Sequence, residues 1–137
     1  MVSPRPTYML DTNICIYLMK RQPPQVAHRF AQCRVGDVVI SAITAAELEF
    51  GVVVSGADKE HNRKALDRLI QEVPVAPFDA VCARAYGPVR LTTRERRRDA
   101  LDKLIAAHAM ALNVTLVTNN PDDFGAFSAL KIENWIG

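Results

Sequence analysis

Three short apolar runs decide most of what this chain can fold into: Tyr8-Met9-Leu10, Val38-Val39-Ile40 and the stretch from Val114 to Val117. Each is too short for a core helix and is followed or preceded by a stretch with helical spacing. The middle run shows no polar alternation, which marks a strand buried on both faces. Strands over 7–10, 38–41 and 114–118 thus alternate with helices over 12–20, 25–34, 43–54, 57–71, 78–97 and 99–112. That alternation predicts an α/β fold, with a parallel sheet of about four to five strands joined by right-handed crossovers and flanked by helices. Val73-Pro74-Val75-Ala76-Pro77 adds a short strand whose prolines place it at an edge, and a last strand fits 130–133. Gly87-Pro88 predicts a bend in its helix. Leu66, Leu69 and Ile70 form the inward face of the helix over 57–71, and Leu101, Leu104, Ile105, His108 and Leu112 that of the helix over 99–112. Thr12 or Asn13 is the expected cap of the first helix.

Length and composition narrow the class. A chain of 137 residues points to one domain, 1–137, with Pro-rich residues 1–6 as a loose lead-in. The net charge is only +2, so any affinity for nucleic acid has to come from local patches. Cys15, Cys33 and Cys82 are odd in number and lack paired spacing, which predicts free thiols in a reducing compartment. Residues 1–6 carry no basic-then-apolar leader, and no apolar run approaches the roughly 18 residues of a membrane span. The expectation is a cytoplasmic protein with no membrane partner.

Acidic residues stand out at element ends. Asp11 follows a buried strand, and in open parallel sheets ligand sites lie outside the carboxyl ends of the strands. Glu47 has Ile43, Thr44, Phe50 and Gly51 as its helical neighbours, an uncharged face on which a carboxylate needs a partner or a cation. Glu49, among Ala45, Ala46, Val52 and Val53, is an equal rival on spacing alone. Asp99 and Asp102 open the last long helix, where capping and the helix dipole explain either as well as chemistry does. Three carboxylates gathered at one point repel one another unless a divalent ion sits among them. Oxygen-only ligation suits Mg²⁺ or Mn²⁺, and such a site points to metal-assisted phosphodiester hydrolysis.

Taken together, Tyr8-Met9-Leu10-Asp11-Thr12-Asn13, the stretch from Ile40-Ser41 through Glu47 to Gly51, Asp102 with Ile105-Ala106-Ala107-His108-Ala109, Leu116-Val117-Thr118-Asn119-Asn120 with Asp123-Phe124, and Ile132-Glu133-Asn134-Trp135 resemble the PIN-domain proteins, specifically the VapC-type toxin ribonucleases of toxin–antitoxin systems. The resemblance runs from about residue 7 to 136 in order. It implies a three-layer PIN-like fold and an endoribonuclease that hydrolyses RNA phosphodiester bonds through a metal-activated water, with Mg²⁺ or Mn²⁺ as cofactor. It selects Glu47 over Glu49 and Asp102 over Asp99, giving Asp11, Glu47 and Asp102 as metal ligands. It further implies a VapB-type antitoxin and a homodimer. The family's fourth acidic position falls at Thr118-Asn119-Asn120, where amides stand instead, with Asp123 as the alternative source of charge. Arg98-Asp99 also departs from the apolar residue and glycine usual before the third acid.

Other residues complete the candidate site. Thr12 and Asn13 are candidates to orient Asp11, and Thr118 and Asn119 to lie beside it. Arg94, Arg96, Arg97 and Arg98, with Arg90 and Lys103, form a basic cluster leading into the Asp102 helix, suited either to solvent or to RNA phosphates. His108, on an apolar face, reads as a packed core residue, and Phe50, Phe124 and Phe127 as core. Rival functions are a PIN-type RNA-processing nuclease that is no toxin, a metal-free PIN binding module, and phosphoryl transfer through an aspartyl intermediate. The last lacks its second acid, because Asn13 stands where that aspartate belongs, and lacks a lysine after the strand over 114–118.

Overall fold

The computed structural model describes residues 6–92, 100–125, 127 and 129–136. Its elements run β1 (Tyr8–Leu10), α1 (Thr12–Lys20), α2 (Pro24–Ala31), β2 (Val38–Ser41), α3 (Ala42–Val53), a 3₁₀ turn (Gly56–Asp58), α4 (Lys59–Glu72), β3 (Val75–Ala76), α5 (Ala80–Thr92), α6 (Ala100–Leu112), β4 (Thr115–Val117), a second 3₁₀ turn (Pro121–Phe124) and β5 (Lys131–Glu133). The five strands form one parallel sheet in the order β3-β2-β1-β4-β5. Chain order runs outward from β1 to one edge and then resumes at β4 on its other side. The crevice between the carboxyl ends of β1 and β4 is therefore the topological switch point, where open α/β sheets bind ligands.

Alternation within each strand builds two cores, one on each face of the sheet. Leu10, Val38, Ile40 and Val117 face one way, packing with Ile14, Val26, Leu48, Val52, Leu66 and Leu69 of α1 to α4. Met9, Val39 and Leu116 face the other, with Val89 of α5 and Ile105, Ala106, Ala107 and Ala109 of α6. The result is three layers. Fully buried aliphatic side chains such as Leu10, Ile40 and Leu116 contribute about 1.5–3 kcal/mol each relative to exposure. All four residues of β2 are buried, as its unbroken apolar run requires. The proline-flanked β3 sits at an edge.

Several local expectations change. Asp11, not Thr12 or Asn13, caps α1. Helix α2 ends at Ala31 rather than Arg34. Helix α5 runs through Pro88 as one element, from Ala80 to Thr92. In α6 the buried stripe joins Ile105 and His108 to the small residues Ala106, Ala107 and Ala109, and the helix packs chiefly on α5. Leu101 and Leu112 consequently point outward, at 44% and 39% exposure, while Lys103 is buried at 5%. Among the described residues no helix is long and apolar enough to cross a membrane.

Candidate metal centre at the carboxyl edge of the sheet

Asp11 stands at the switch point because β1 and β4 pair in register up to Leu10 and Val117. Its backbone N–H donates to Val117 O at 3.0 Å, which sets it beside Thr118, the residue after β4. The carboxylate is only 7% exposed. One oxygen, Oδ1, accepts from the Ile14 N–H at 3.0 Å, the capping bond of α1. Burial raises the Asp11 carboxyl above the ordinary carboxylate range. Hydrogen bonds from the Thr118 hydroxyl and the Ile14 N–H pull it back, the Glu47 charge raises it again, and the Asn13 N–H lowers it slightly. A carboxylate made costly to ionise by burial and a like charge is the electrostatic setting that a cation reverses.

Glu47 belongs to the same place. Helix α3 begins at Ser41, whose side chain accepts from Ile43 N–H at 3.0 Å, and Glu47 lies in its second turn. The Thr12 hydroxyl, at the start of α1, donates to Glu47 Oε1 at 2.8 Å. Its rival Glu49 faces the other way. Arg63 of α4 grips it in a two-pronged pair, Nη1 to Oε2 at 2.5 Å and Nη2 to Oε1 at 3.0 Å, and holds its carboxyl below the usual range. Spacing left the two glutamates equal, and the α3–α4 pairing separates them.

The end of β4 supplies oxygen and amide groups. Thr118 is fully buried and uses both sides of its hydroxyl, donating to Asp11 and accepting from Asn120 N–H at 3.0 Å. Asn119 donates through Nδ2 to the Tyr17 hydroxyl at 3.0 Å, and its Oδ1 accepts from Asn13 Nδ2 at 3.4 Å. Tyr17 escaped the sequence reading. The available signal was its position four residues after Asn13 on α1, which puts both on one helix face. Asn120 is exposed, while Asp123 is half-buried in the second 3₁₀ turn, its N–H donating to Asn120 O at 3.1 Å.

Asp102 reaches this edge by topology. Helix α6 leads into a strand of a parallel sheet, so its first turn lies at the carboxyl side, and Asp102 is half-buried there. Among the described residues, no three His, Cys, Asp or Glu side chains stand close enough to hold an ion as they are placed. Asp11 and Glu47 are neighbours, but the three carboxylates expected at one point are not gathered; the donors on offer (carboxylate, hydroxyl and amide oxygens) match the preference of Mg²⁺ or Mn²⁺. The fit to such an ion thus rests on donor chemistry and on the buried Asp11.

The remaining candidates divide. Arg94, Arg96, Arg97 and Arg98 lie outside the described residues. Lys103, counted with them, is a buried residue of α6 rather than part of an exposed basic face. Phe124 and Phe127 are core, as expected, whereas Phe50 is 67% exposed. His108 is wholly buried, as read from its apolar face. All three cysteines are free.

Comparison with known proteins agrees with this geometry. The PIN domain family profile matches residues 8–130. Ribonuclease VapC2 of Rickettsia felis is 39% identical over 132 residues, covering 93% of this chain and 97% of that protein. The tRNA(fMet)-specific endonuclease VapC of Shigella flexneri is 34% identical over 130 residues, covering 93% of this chain and 97% of its own. A crystal structure of VapBC2 from Rickettsia felis, bound to a DNA fragment from its promoter, contains a chain that superposes with a TM-score of 0.83 at 37% identity, covering 94% of this chain and 98% of that one. On these matches and on its five-stranded parallel sheet, the chain belongs to the PIN-domain family and, within it, to the VapC proteins.

Proposed function

We propose that this chain is the toxin of a toxin–antitoxin pair and an endoribonuclease that depends on Mg²⁺ or Mn²⁺. One observation carries the reading: two carboxylates, Asp11 and Glu47, meet at the switch point, where burial and mutual repulsion raise the Asp11 carboxyl. Asp11, Glu47 and Asp102 are the residues that hold the ion, with Asn119 or Asp123 as the further oxygen. When bound, the ion lowers the pKa of water and offsets charge developing on the scissile phosphate.

The chain's own groups prepare that chemistry. The Ile14 N–H and the Thr118 hydroxyl fix the Asp11 carboxylate in orientation. Thr12 does the same for Glu47, and Tyr17 for Asn119. Nothing in this scheme asks for a side-chain nucleophile. The relatives named as ribonucleases support RNA as substrate, and the Shigella flexneri protein makes tRNA the first RNA to try. The VapBC2 complex supports a VapB-type antitoxin as partner.

The test is cleavage of tRNA by the purified protein with Mg²⁺, Mn²⁺ or EDTA. Cleavage that EDTA abolishes and Mn²⁺ restores is expected, and cleavage that persists in EDTA contradicts the metal reading. Expression in a bacterial host separates toxin from RNA-processing nuclease. Arrested growth, relieved by a small partner encoded beside it, is expected of the toxin; unimpaired growth with an active nuclease contradicts that role.

A further inference from the structure

The two helices that carry Glu47 and Asp102 share one buried joint. His108 of α6 is wholly buried, and its Nδ1 lies 2.7 Å from the Ser41 hydroxyl. Ser41 is also wholly buried, ends β2 and caps α3. Its oxygen already accepts from the Ile43 N–H, so its own proton is free to donate to His108. With the imidazole proton on Nε2, Nδ1 accepts the hydroxyl proton; with it on Nδ1, the ring donates to the second lone pair of the Ser41 oxygen, so either tautomer makes the bond. That Nε2 has no hydrogen-bond partner among the described protein groups. The ring packs edge-on against Phe78, at 5.5 Å between centroids.

A buried polar nitrogen left without a partner costs about 1–3 kcal/mol. A leucine or phenylalanine would fill the space without that cost. What the imidazole adds over bulk is the bond to Ser41, and that bond ties α6 to the start of α3.

We propose that His108 is a positioning residue: through Ser41 it fixes the helix bearing Asp102 against the helix bearing Glu47, and so sets the spacing of the acidic site. The role rests on the metal-centre reading above. Asp102 lies about 9 Å up the axis of α6 from His108, and Glu47 about 9 Å along α3 from Ser41, from the rise per residue. A tilt of about 6° at the joint therefore moves either carboxylate by roughly 1 Å, a displacement that costs roughly 10²-fold in a tightly arranged site.

The experiment compares Mn²⁺ binding by calorimetry with the melting temperature in four proteins: the unsubstituted chain, His108→Asn, His108→Gln and His108→Leu. Asparagine places an oxygen near the Nδ1 position and keeps the acceptor for Ser41. Glutamine is as polar but carries its amide further out, and leucine only fills the volume. The expected result is Mn²⁺ affinity about 10-fold weaker in His108→Leu and His108→Gln, with most of it restored in His108→Asn. Equal affinity in the Asn and Gln variants overturns the proposal even if the Leu variant fails to fold, and so does a folded Leu variant that binds Mn²⁺ normally. Nitrogen-15 NMR of the unsubstituted chain adds a readout free of metal: a neutral His108 locked in one tautomer by the Nδ1–Ser41 bond is expected, and a ring that averages between its two tautomers overturns the joint. If the unsubstituted chain binds no Mn²⁺ while NMR shows a single locked tautomer, the metal reading fails and this role falls with it, though the joint itself stands.

Discussion

Asp11 is both a helix cap and the centre of the site, and the two roles come apart on substitution. Its carboxyl is raised by burial, so the folded, metal-free chain holds that proton more tightly than the unfolded one. By linkage, this group's contribution to stability is full below its unfolded pKa and is lost as pH rises through the folded one. Asp11→Asn keeps an oxygen for the Ile14 N–H and removes the ionisation. The metal-free Asn variant is expected to melt no lower than the unsubstituted chain at pH 7 and to lose this part of the pH dependence. Asp11→Ala, without the cap, is expected to cost about 1 kcal/mol, read from denaturant unfolding. Both variants lose RNA cleavage. A second pair of substitutions tests the assignment on α3. Glu47→Gln is expected to cut cleavage at least about 10-fold. Glu49→Gln weakens a half-exposed pair with Arg63, leaves the melting temperature nearly unchanged and leaves cleavage intact. Sequence spacing did not separate these glutamates because α3 is apolar on most of its circumference. Arg63 decides the matter from the next helix, and such a long-range partner leaves no trace in local periodicity.

At the level of elements, α1 was legible as a helix but not as an organiser. Its first residues, Thr12 and Asn13, were expected to orient Asp11. Only the Asn13 N–H touches that carboxylate, while the Thr12 side chain holds Glu47 and those of Asn13 and Tyr17 hold Asn119. The reach of a side chain across the crevice depends on strand order, which sequence pattern does not supply. Helix α6 shows a different limit. Leu101, Leu104, Ile105, His108 and Leu112 were read as its inward face; Ile105 and His108 are buried, together with Ala106, Ala107 and Ala109, while Leu101 and Leu112 are exposed. Close packing of α6 against α5 and the core favours small side chains there and leaves the larger Leu101 and Leu112 exposed. Replacing Ala107 with Leu is therefore expected to overpack the core and cost about 1–3 kcal/mol, while Leu101→Ala costs well under 1 kcal/mol. Chemical denaturation of the two variants checks this. A larger loss for Leu101→Ala than for Ala107→Leu contradicts the observed face.

For the molecule as a whole, the alternation of strands and helices was enough to read a parallel sheet, and the carboxylates at element ends were enough to suspect a metal. The strand order β3-β2-β1-β4-β5 adds what alternation lacks: it places the end of β1 beside the end of β4 and so makes Asp11 and Thr118 neighbours. The core on the α1–α4 face of the sheet is closed by residues after β5. Trp135 packs edge-on against Tyr8 at 5.4 Å, Arg29 of α2 covers its ring, and Glu133 accepts from both Arg29 and the indole N–H. That closure holds β5 and α2 against the core without adding a group to the site. The central claim is that Asp11, Glu47 and Asp102 act together around a divalent ion to cut RNA. Asp102 tests it most directly, because topology alone brings it to the edge and an asparagine there keeps its place in the first helical turn. The measurement is single-turnover cleavage of tRNA in saturating Mn²⁺ by the unsubstituted chain and by Asp102→Asn at matched folded concentration. A rate at least about 10²-fold lower in the variant, with its melting temperature preserved, is the predicted result; an unchanged rate contradicts the account.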